Sequence, residues 1–463
     1  MHSFHSTVSR RDFMKTLGLA GAGVGAAAAT FPVFHDLDEL MSAPQAQHKQ
    51  PWFVKDVDKP TIDIDWSQVV RSDKKINGHD GIPYLAPSGG WHATGDRIAS
   101  YPGGDANRKP AEDYIKSKFP DWKGDTLRDQ ALRQTVWTVK RTPTPFVCSK
   151  LTYSPEEYGL PKYEGTPEEN YVMIRNLLRF WGGGKIGVIK LDQDTRKVFN
   201  ANSSNKDIVF EDVDEAYETT TKTVVPNKNE YLITALFTAQ TVLGRRWPSL
   251  QSNAAVMGVY SFLSWAEGNL QEFLHGIGYE ANVVDNITNS EPCGLVAGVG
   301  ENVRMGYTVV SPETGAMARC MLRVITDLPL ATTKPVDAGL NRFCNTCKIC
   351  AEACPYNAIV LDDAPSWDNT AIPGSPPGFN GWRLKAMSCA HCGSACQAVC
   401  PFNAPRETWI HSLVAPTVTI TPVFNKFFAD MERAFGFGMW EPESFWTEEE
   451  QPIFGYIGGI LGN

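Results

Sequence analysis

Apolar positions recur at helical spacing in two long stretches of this chain. In "PEENYVMIRNLLRFWGGGKIGVIKLD" an apolar helical run ends at Gly182–Gly184, and "KIGVIKLD" follows as a strand. In "SNAAVMGVYSFLSWAEGNLQEFLHGIGY" the residues Val256, Val259, Tyr260, Leu263, Leu270, Phe273 and Leu274 fall near one helical stripe. Gly276 and Gly278 are expected to stop that helix. "NEYLITALFT", "EANVV" and "ARCMLRVITD" read as strands. Strands with interleaved helices predict an α/β or α+β core over roughly 180–335. Before it, from about Gln50 to Ser149, the chain is polar and turn-rich with scattered Trp. After it, "PVDAG" (Pro335 to Gly339) marks a boundary. The tail beyond 411 is rich in Phe and Trp and is expected to pack against the core rather than to face a membrane or a partner.

The length of 463 residues, 42% of them hydrophobic, is ample for a large core. A net charge of −9 gives no electrostatic reason to expect nucleic acid. The first residues change the picture. "SRRDFMK" carries the Arg10–Arg11 pair with Phe13 behind it, and a weakly apolar, Gly- and Ala-rich run from Thr16 to Thr30 follows. This is the layout of a twin-arginine export signal. The run is too short and too rich in glycine for a good membrane span. Cleavage is expected near Ala29 or around "MSAPQA" (Met41 to Ala46), and the mature chain should be soluble or held by a partner.

The strongest chemical signal is cysteine. "FCNTCKICAEACP" sets Cys344, Cys347, Cys350 and Cys354 in one short window, and "CAHCGSACQAVCP" sets Cys389, Cys392, Cys396 and Cys400 in another. Neighbours this close pair poorly as disulfides, whereas thiolates at this spacing can wrap a cluster. Each [4Fe–4S] cluster needs four thiolates. In two-cluster ferredoxins the distal cysteine before proline crosses to the other cluster. Applied here, Cys344, Cys347, Cys350 and Cys400 form one set, and Cys389, Cys392, Cys396 and Cys354 the other. Zinc, the alternative, rarely uses a doubled run of this kind. Cys148, Cys293 and Cys320 stand apart and read as small buried hydrophobes. The twin-arginine route carries folded proteins, so clusters can be loaded before export.

A short electron wire needs an acceptor. "TDLPLATTKPVDAGLNRFCNTCKICAEACPYNAI", the second cysteine window and "SRRDFMK" together resemble the respiratory reductive dehalogenases. The resemblance implies an α+β fold: a nitroreductase-like corrinoid-binding core with a ferredoxin-like domain for two [4Fe–4S] clusters. It divides the chain into a signal peptide (1–43), an N-terminal region packing on the core (44–179), the core (180–335), the cluster domain (336–410) and an aromatic-rich tail (411–463). The implied activity is two-electron reductive removal of halide, chloride above all, from an organohalide at a base-off corrinoid cobalt fed by the clusters. The implied partners are a small hydrophobic membrane-anchor protein and a membrane electron-donor chain, at the outer face of the cytoplasmic membrane.

The resemblance also implies site residues. Tyr260, Asn286 and Arg319 match the tyrosine, asparagine and arginine of the family's site, with the tyrosine as proton donor. A free phenol titrates near 10. A guanidinium about 4 Å away contributes roughly 4 kcal/mol at an effective dielectric of 20, or about three pKa units before desolvation opposes it. Arg304 is an alternative cation, and Tyr260 could equally be core. Gly298, Gly300 and Asn302 in "AGVGENVRMG" match the corrinoid-contacting region, with backbone suited to close approach of a flat ligand. Trp382 is a candidate for pocket lining, and His391 reads as structural. Two other readings stand beside this one. An epoxyqueuosine-reductase-like corrinoid enzyme would act on a cytoplasmic tRNA, against the export signal. A non-catalytic iron–sulfur carrier would hold iron without cobalt.

Overall fold

The computed structural model describes residues 50–73, 116–138, 144–368, 377–385, 389, 395–403, 411–435 and 439–448, apart from Trp52, Trp122 and Ser204. The proposed export signal lies outside them. In chain order the main elements begin with strand β1 (Lys55–Asp56) and helices α1 (Leu127–Thr138) and α2 (Pro167–Phe180). Strands β2 (Ile186–Lys190), β3 (Asn202–Ser203), β4 (Lys206–Glu211), β5 (Tyr217–Glu218), β6 (Lys222–Pro226) and β7 (Tyr231–Thr238) follow. Next come α3 (Leu250–Gly276), β8 (Ala281–Val283), α4 (Ser290–Val296), β9 (Glu301–Asn302), β10 (Val309–Val310), β11 (Ala318–Thr326) and β12 (Val336–Asp337). The cysteine-bearing part contains α5 (Leu340–Cys347), α6 (Ile349–Glu352) and α7 (Ala395–Ala398), and the tail contains α8 (His411–Ile420) and α9 (Asn425–Phe435).

The central sheet has the order β2-β7-β11-β8, antiparallel throughout. Both of its faces are covered, which explains the unbroken apolar run of β7. Ile233, Ala235 and Phe237 join Leu322 and Val324 of β11 in a core closed by α2 and α3. The alternate residues Leu232 and Leu236 join Met321 and Ile325 in a second core with Phe199, Ile208, Val225 and Cys293. A second sheet, β3-β4-β6-β5, flanks this side, with β4 and β6 parallel.

Local chemistry sets the helix ends. Thr166 and Glu169 make a reciprocal capping box at the start of α2, with Pro167 at its first position. The long helix α3 runs through Gly276. Its left-handed stop is Gly278, with φ of 93°, after which the Tyr279 amide donates back to Leu274. No helix among the described residues is long and apolar enough to cross a membrane.

The cysteine-bearing region packs on the core through a third cluster. Val303, Met305 and Val310 from the core meet Phe343, Cys347 and Phe402, with Val414 and Val418 of α8 and Phe428 and Met431 of α9. Within the described part of the tail, Val414, Val418, Phe428 and Met431 are packed in this way. Farther on, the Trp446 indole donates to Asp129 at 2.8 Å. Two side-chain amides stitch the regions together. Asn403 Oδ1 accepts from the Ala316 and Met317 amides, and Gln397 Nε2 donates to the Ala316 carbonyl.

Candidate redox and active site

The first cysteine window becomes two short helices joined by Lys348, whose left-handed φ of 58° turns the chain between them. α5 carries Cys344 and Cys347, and α6 carries Cys350. Cys400, which follows α7, lies beside these three. Cys344, Cys347, Cys350 and Cys400 line one cavity with Val303, Met305, Phe343 and Phe402. Among the described residues, no three His, Cys, Asp or Glu side chains are placed to share a single metal ion; these four thiols stand around a common hollow instead. Burial pushes the Cys344 thiol up to about 11 and the Cys347 thiol up to about 12. Burial first, then the neighbouring sulfurs, also raises the Cys350 and Cys400 thiols. Four thiolates cannot persist there without positive charge among them. This donor set therefore fits an iron–sulfur group.

Of the second set, Cys354 follows α6 and accepts the Ala358 amide at 3.4 Å. Cys389 is half-buried, and Cys396 lies on α7 beside the Tyr307 hydroxyl, 3.3 Å away. Cys392 and His391 lie outside the described residues. Cys293 is buried in the core, and Cys148 is half-buried with its sulfur 3.5 Å from Glu272. Nothing is described of the Cys320 side chain.

The glycine-rich stretch has an occupant of its own. Gly298 has φ of 68°, and a Cβ there would lie 1.8 Å from the Lys334 carbonyl oxygen. At Gly300 it would lie 2.6 Å from the Val310 carbonyl oxygen. The close approach expected there for a flat ligand is made by the chain's own backbone. Asn302 is likewise engaged within the chain. Its Oδ1 accepts the Trp382 amide at 2.8 Å, and its Nδ2 donates to Glu291 and to the Trp382 carbonyl. Trp382 is almost fully buried and stacks on Arg304, whose guanidinium carbon lies 4.1 Å from the ring centroid. Arg304 also donates to the Cys344 and Val360 carbonyls. The Arg304 guanidinium is thus engaged on the cysteine side.

Tyr260 is half-buried on α3, against the core under the sheet. Asn286 is exposed in the turn after β8. Arg319 stands at a register shift in β11, where Ala318 opposes Thr238 and Cys320 opposes Phe237. A bulge adds one residue to one strand and redirects the chain locally; nothing is described of the Arg319 side chain itself. Arg323, four residues along the same strand, is buried. It donates to Thr288 Oγ1 at 2.8 Å, to Ser290 Oγ and to the Asp285 carbonyl, and so fixes the turn that carries Asn286.

α3 and β11 both finish beside the start of β8, where the Glu280 amide bonds Asp327. From that end, sixteen residues of helix rise about 24 Å back to Tyr260. Seven residues of strand rise about 23 Å back to Arg319. The 284–288 turn continues antiparallel along β11.

Two polar residues here escaped the sequence reading. Tyr307 sits in a stretch between two strands where no sequence motif marks it. Asn200 is buried, and both ends of its side-chain amide lack a partner among the described residues. Its backbone amide donates to Ile287 at 2.8 Å, one residue from Asn286. Only the fold joins residue 200 to residue 287, so no local signal could have found it. Buried amides are nearly always partnered. This pair of unmet groups fits a polar ligand rim beside the Asn286 turn.

Known proteins give the arrangement its context. Residues 343–404 match a family model for a 4Fe-4S dicluster domain, and residues 132–330 match one for a reductive dehalogenase subunit. The chain is 31% identical to the chloroethene reductive dehalogenase of Dehalococcoides mccartyi strain VS, over 99% of this chain and all of that one. It is 31% identical to the trichloroethene reductive dehalogenase of another strain of that organism, over 98% of each chain. A solved reductive dehalogenase, described as suggesting a mechanism for B12-dependent dehalogenation, superposes with a TM-score of 0.55 at 21% identity. That likeness covers 88% of this chain and 52% of the other, so the chain spans about half the length of the solved structure it resembles. The fold is thus the mixed α/β reductive dehalogenase fold, carried with a dicluster domain. A dicluster match over the cysteine region and 31% identity to two such enzymes over 98–99% of this chain carry the conclusion that this chain is an enzyme of the reductive dehalogenase family.

Proposed function

We propose that this enzyme removes chloride reductively from chlorinated ethenes. The carrying observation is the identity, over essentially the whole chain, to relatives named for chloroethene and trichloroethene. In the overall reaction the carbon–chlorine bond breaks, two electrons and one proton enter, and chloride leaves. The core is read as nitroreductase-like, and the cysteine region as ferredoxin-like with crossed ligation. Cys344, Cys347, Cys350 and Cys400 would hold one [4Fe–4S] cluster, and Cys354, Cys389, Cys392 and Cys396 the other. When bound, the clusters and a base-off corrinoid would supply the electrons and the cobalt-centred reduction.

The chain's own residues handle the proton and the substrate. Tyr260 would donate the proton from its phenol. Arg319 would lower the phenol's pKa toward working pH, and Asn286 would orient phenol or substrate. Asn200 would meet the polar rim of the corrinoid. Export by the twin-arginine route, a hydrophobic anchor protein and a membrane electron donor complete the proposal for a peripheral enzyme at the outer face of the membrane.

The test is chloride release from trichloroethene by purified holoenzyme with a low-potential donor. Tyr260→Phe should lower kcat about 10²–10³-fold with iron and cobalt contents unchanged. Full activity in that variant would remove Tyr260 from the proton step. Absence of chloride release from any chlorinated ethene would remove the substrate class.

A further inference from the structure

The segment Val303–Tyr307 leaves β9 and passes between the two cysteine groups. On one side Val303, Arg304 and Met305 line the cavity of Cys344, Cys347, Cys350 and Cys400, and the Arg304 amide lies 3.5 Å from Cys344 Sγ. Gly306 then turns the chain with φ of 66°. A Cβ there would lie 2.4 Å from the Arg383–Leu384 peptide. That tight turn delivers Tyr307 to the other side, with its half-buried hydroxyl 3.3 Å from Cys396 Sγ. Tyr307 takes no part in lining the first cavity.

From this geometry we infer that the Tyr307 phenol donates a hydrogen bond to the Cys396 thiolate and sets the reduction potential of that cluster alone. The inference rests on Cys396 being a cluster ligand, as proposed above. A ligating thiolate carries no proton, so the phenol is the donor. Reduction adds negative charge to the cluster, and the hydrogen bond stabilises the reduced state more than the oxidised one. The phenol therefore raises the potential. Contacts of this kind to a metal-bound group tune it without joining its ligand set. Tyr307 is thus a positioning and tuning residue, which makes the two clusters unequal from the core side.

The test uses holoprotein, wild type and Tyr307→Phe, with iron analysis and potentiometric titration followed by electron paramagnetic resonance. Both proteins should hold the iron of two clusters. One of the two potentials should move negative in the variant, so that at fixed ambient potential its reduced-to-oxidised ratio falls about tenfold, 59 mV for a one-electron couple. The other potential should stay put. Movement of neither potential, or of both, would overturn the inference. A wild-type protein without two clusters would fail the ligand assignment instead, and iron analysis shows that before any potential is read. Should the variant bind less iron, hyperfine spectroscopy on the wild type decides. A strongly coupled proton that exchanges within minutes of transfer to D2O is expected on one cluster signal only, and its absence would refute the contact.

Discussion

At Gly298 a left-handed backbone meets a carbonyl oxygen with no room for a side chain. Gly298→Ala should destabilise the cofactor-free protein by upwards of about 3 kcal/mol in urea titration. Gly182 has φ of 87° with open space for 4 Å around the place a Cβ would take, so Gly182→Ala should cost about 1 kcal/mol. Equal effects would return Gly298 to a role in ligand contact. Glu301 gives a second prediction. Its carboxyl is 1% exposed, and burial raises its pKa from 4.5 to about 6, against the lowering effect of the Leu340 and Ala338 amides it accepts. The native state therefore keeps this proton to higher pH than the unfolded chain does. Stability should fall by about 2 kcal/mol as pH rises from 4.5 to 6, then level off. Unfolding curves across that window should be flatter for Glu301→Gln. The residue scale was the least legible in the sequence. The cysteines announced their chemistry by spacing alone, but "AGVGENVRMG" suggested an open backbone where the fold places Lys334 and Val310.

Secondary structure was far more readable where both faces are buried. β7 is an almost continuous apolar run, and β11 is one apart from Arg319 and Arg323, because a helix layer and a second core enclose them, and α2 and α3 carried clear stripes. β3 to β6 went unread. They are short, partly exposed and interrupted by Lys, Asp and Glu, so neither length nor alternation marked them. The bulge at Arg319 was equally hidden, since a register shift depends on the partner strand. Arg323 supports a prediction here. It holds the 285–290 turn through a planar set of donors that lysine cannot reproduce. Arg323→Lys should loosen that turn, lower kcat at least tenfold and leave both cluster potentials unchanged. Full activity in the variant would show that the turn holds its shape without the guanidinium.

For the whole molecule the central expectation is crossed ligation. Holoprotein should contain about eight iron atoms per chain. Cys400→Ser should lose one cluster signal together with the properties of the Cys344 set, although residue 400 belongs to the other window. Loss of the Cys389 set instead would show uncrossed ligation. Asn403 and Gln397 extend the effect, because they bind the turn leading into β11. Disorder around Cys400 should therefore reach Arg319.

The two-stranded sheet of β1 and β12 has a consequence for how the chain is made. Lys55 and Asp56 find their partners at Asp337 and Val336, and the Val57 amide reaches the Pro335 carbonyl at 2.8 Å. Val54 beside them belongs to the same apolar cluster as Cys347. A nascent polypeptide must thus hold its early segment unpaired until nearly three-quarters of the message has been translated. Pairing of residues 55–56 with 336–337 and emergence of the first cysteine window, Cys344 to Cys354, occur almost together, so closure of the scaffold and the opportunity to take up iron coincide during biosynthesis.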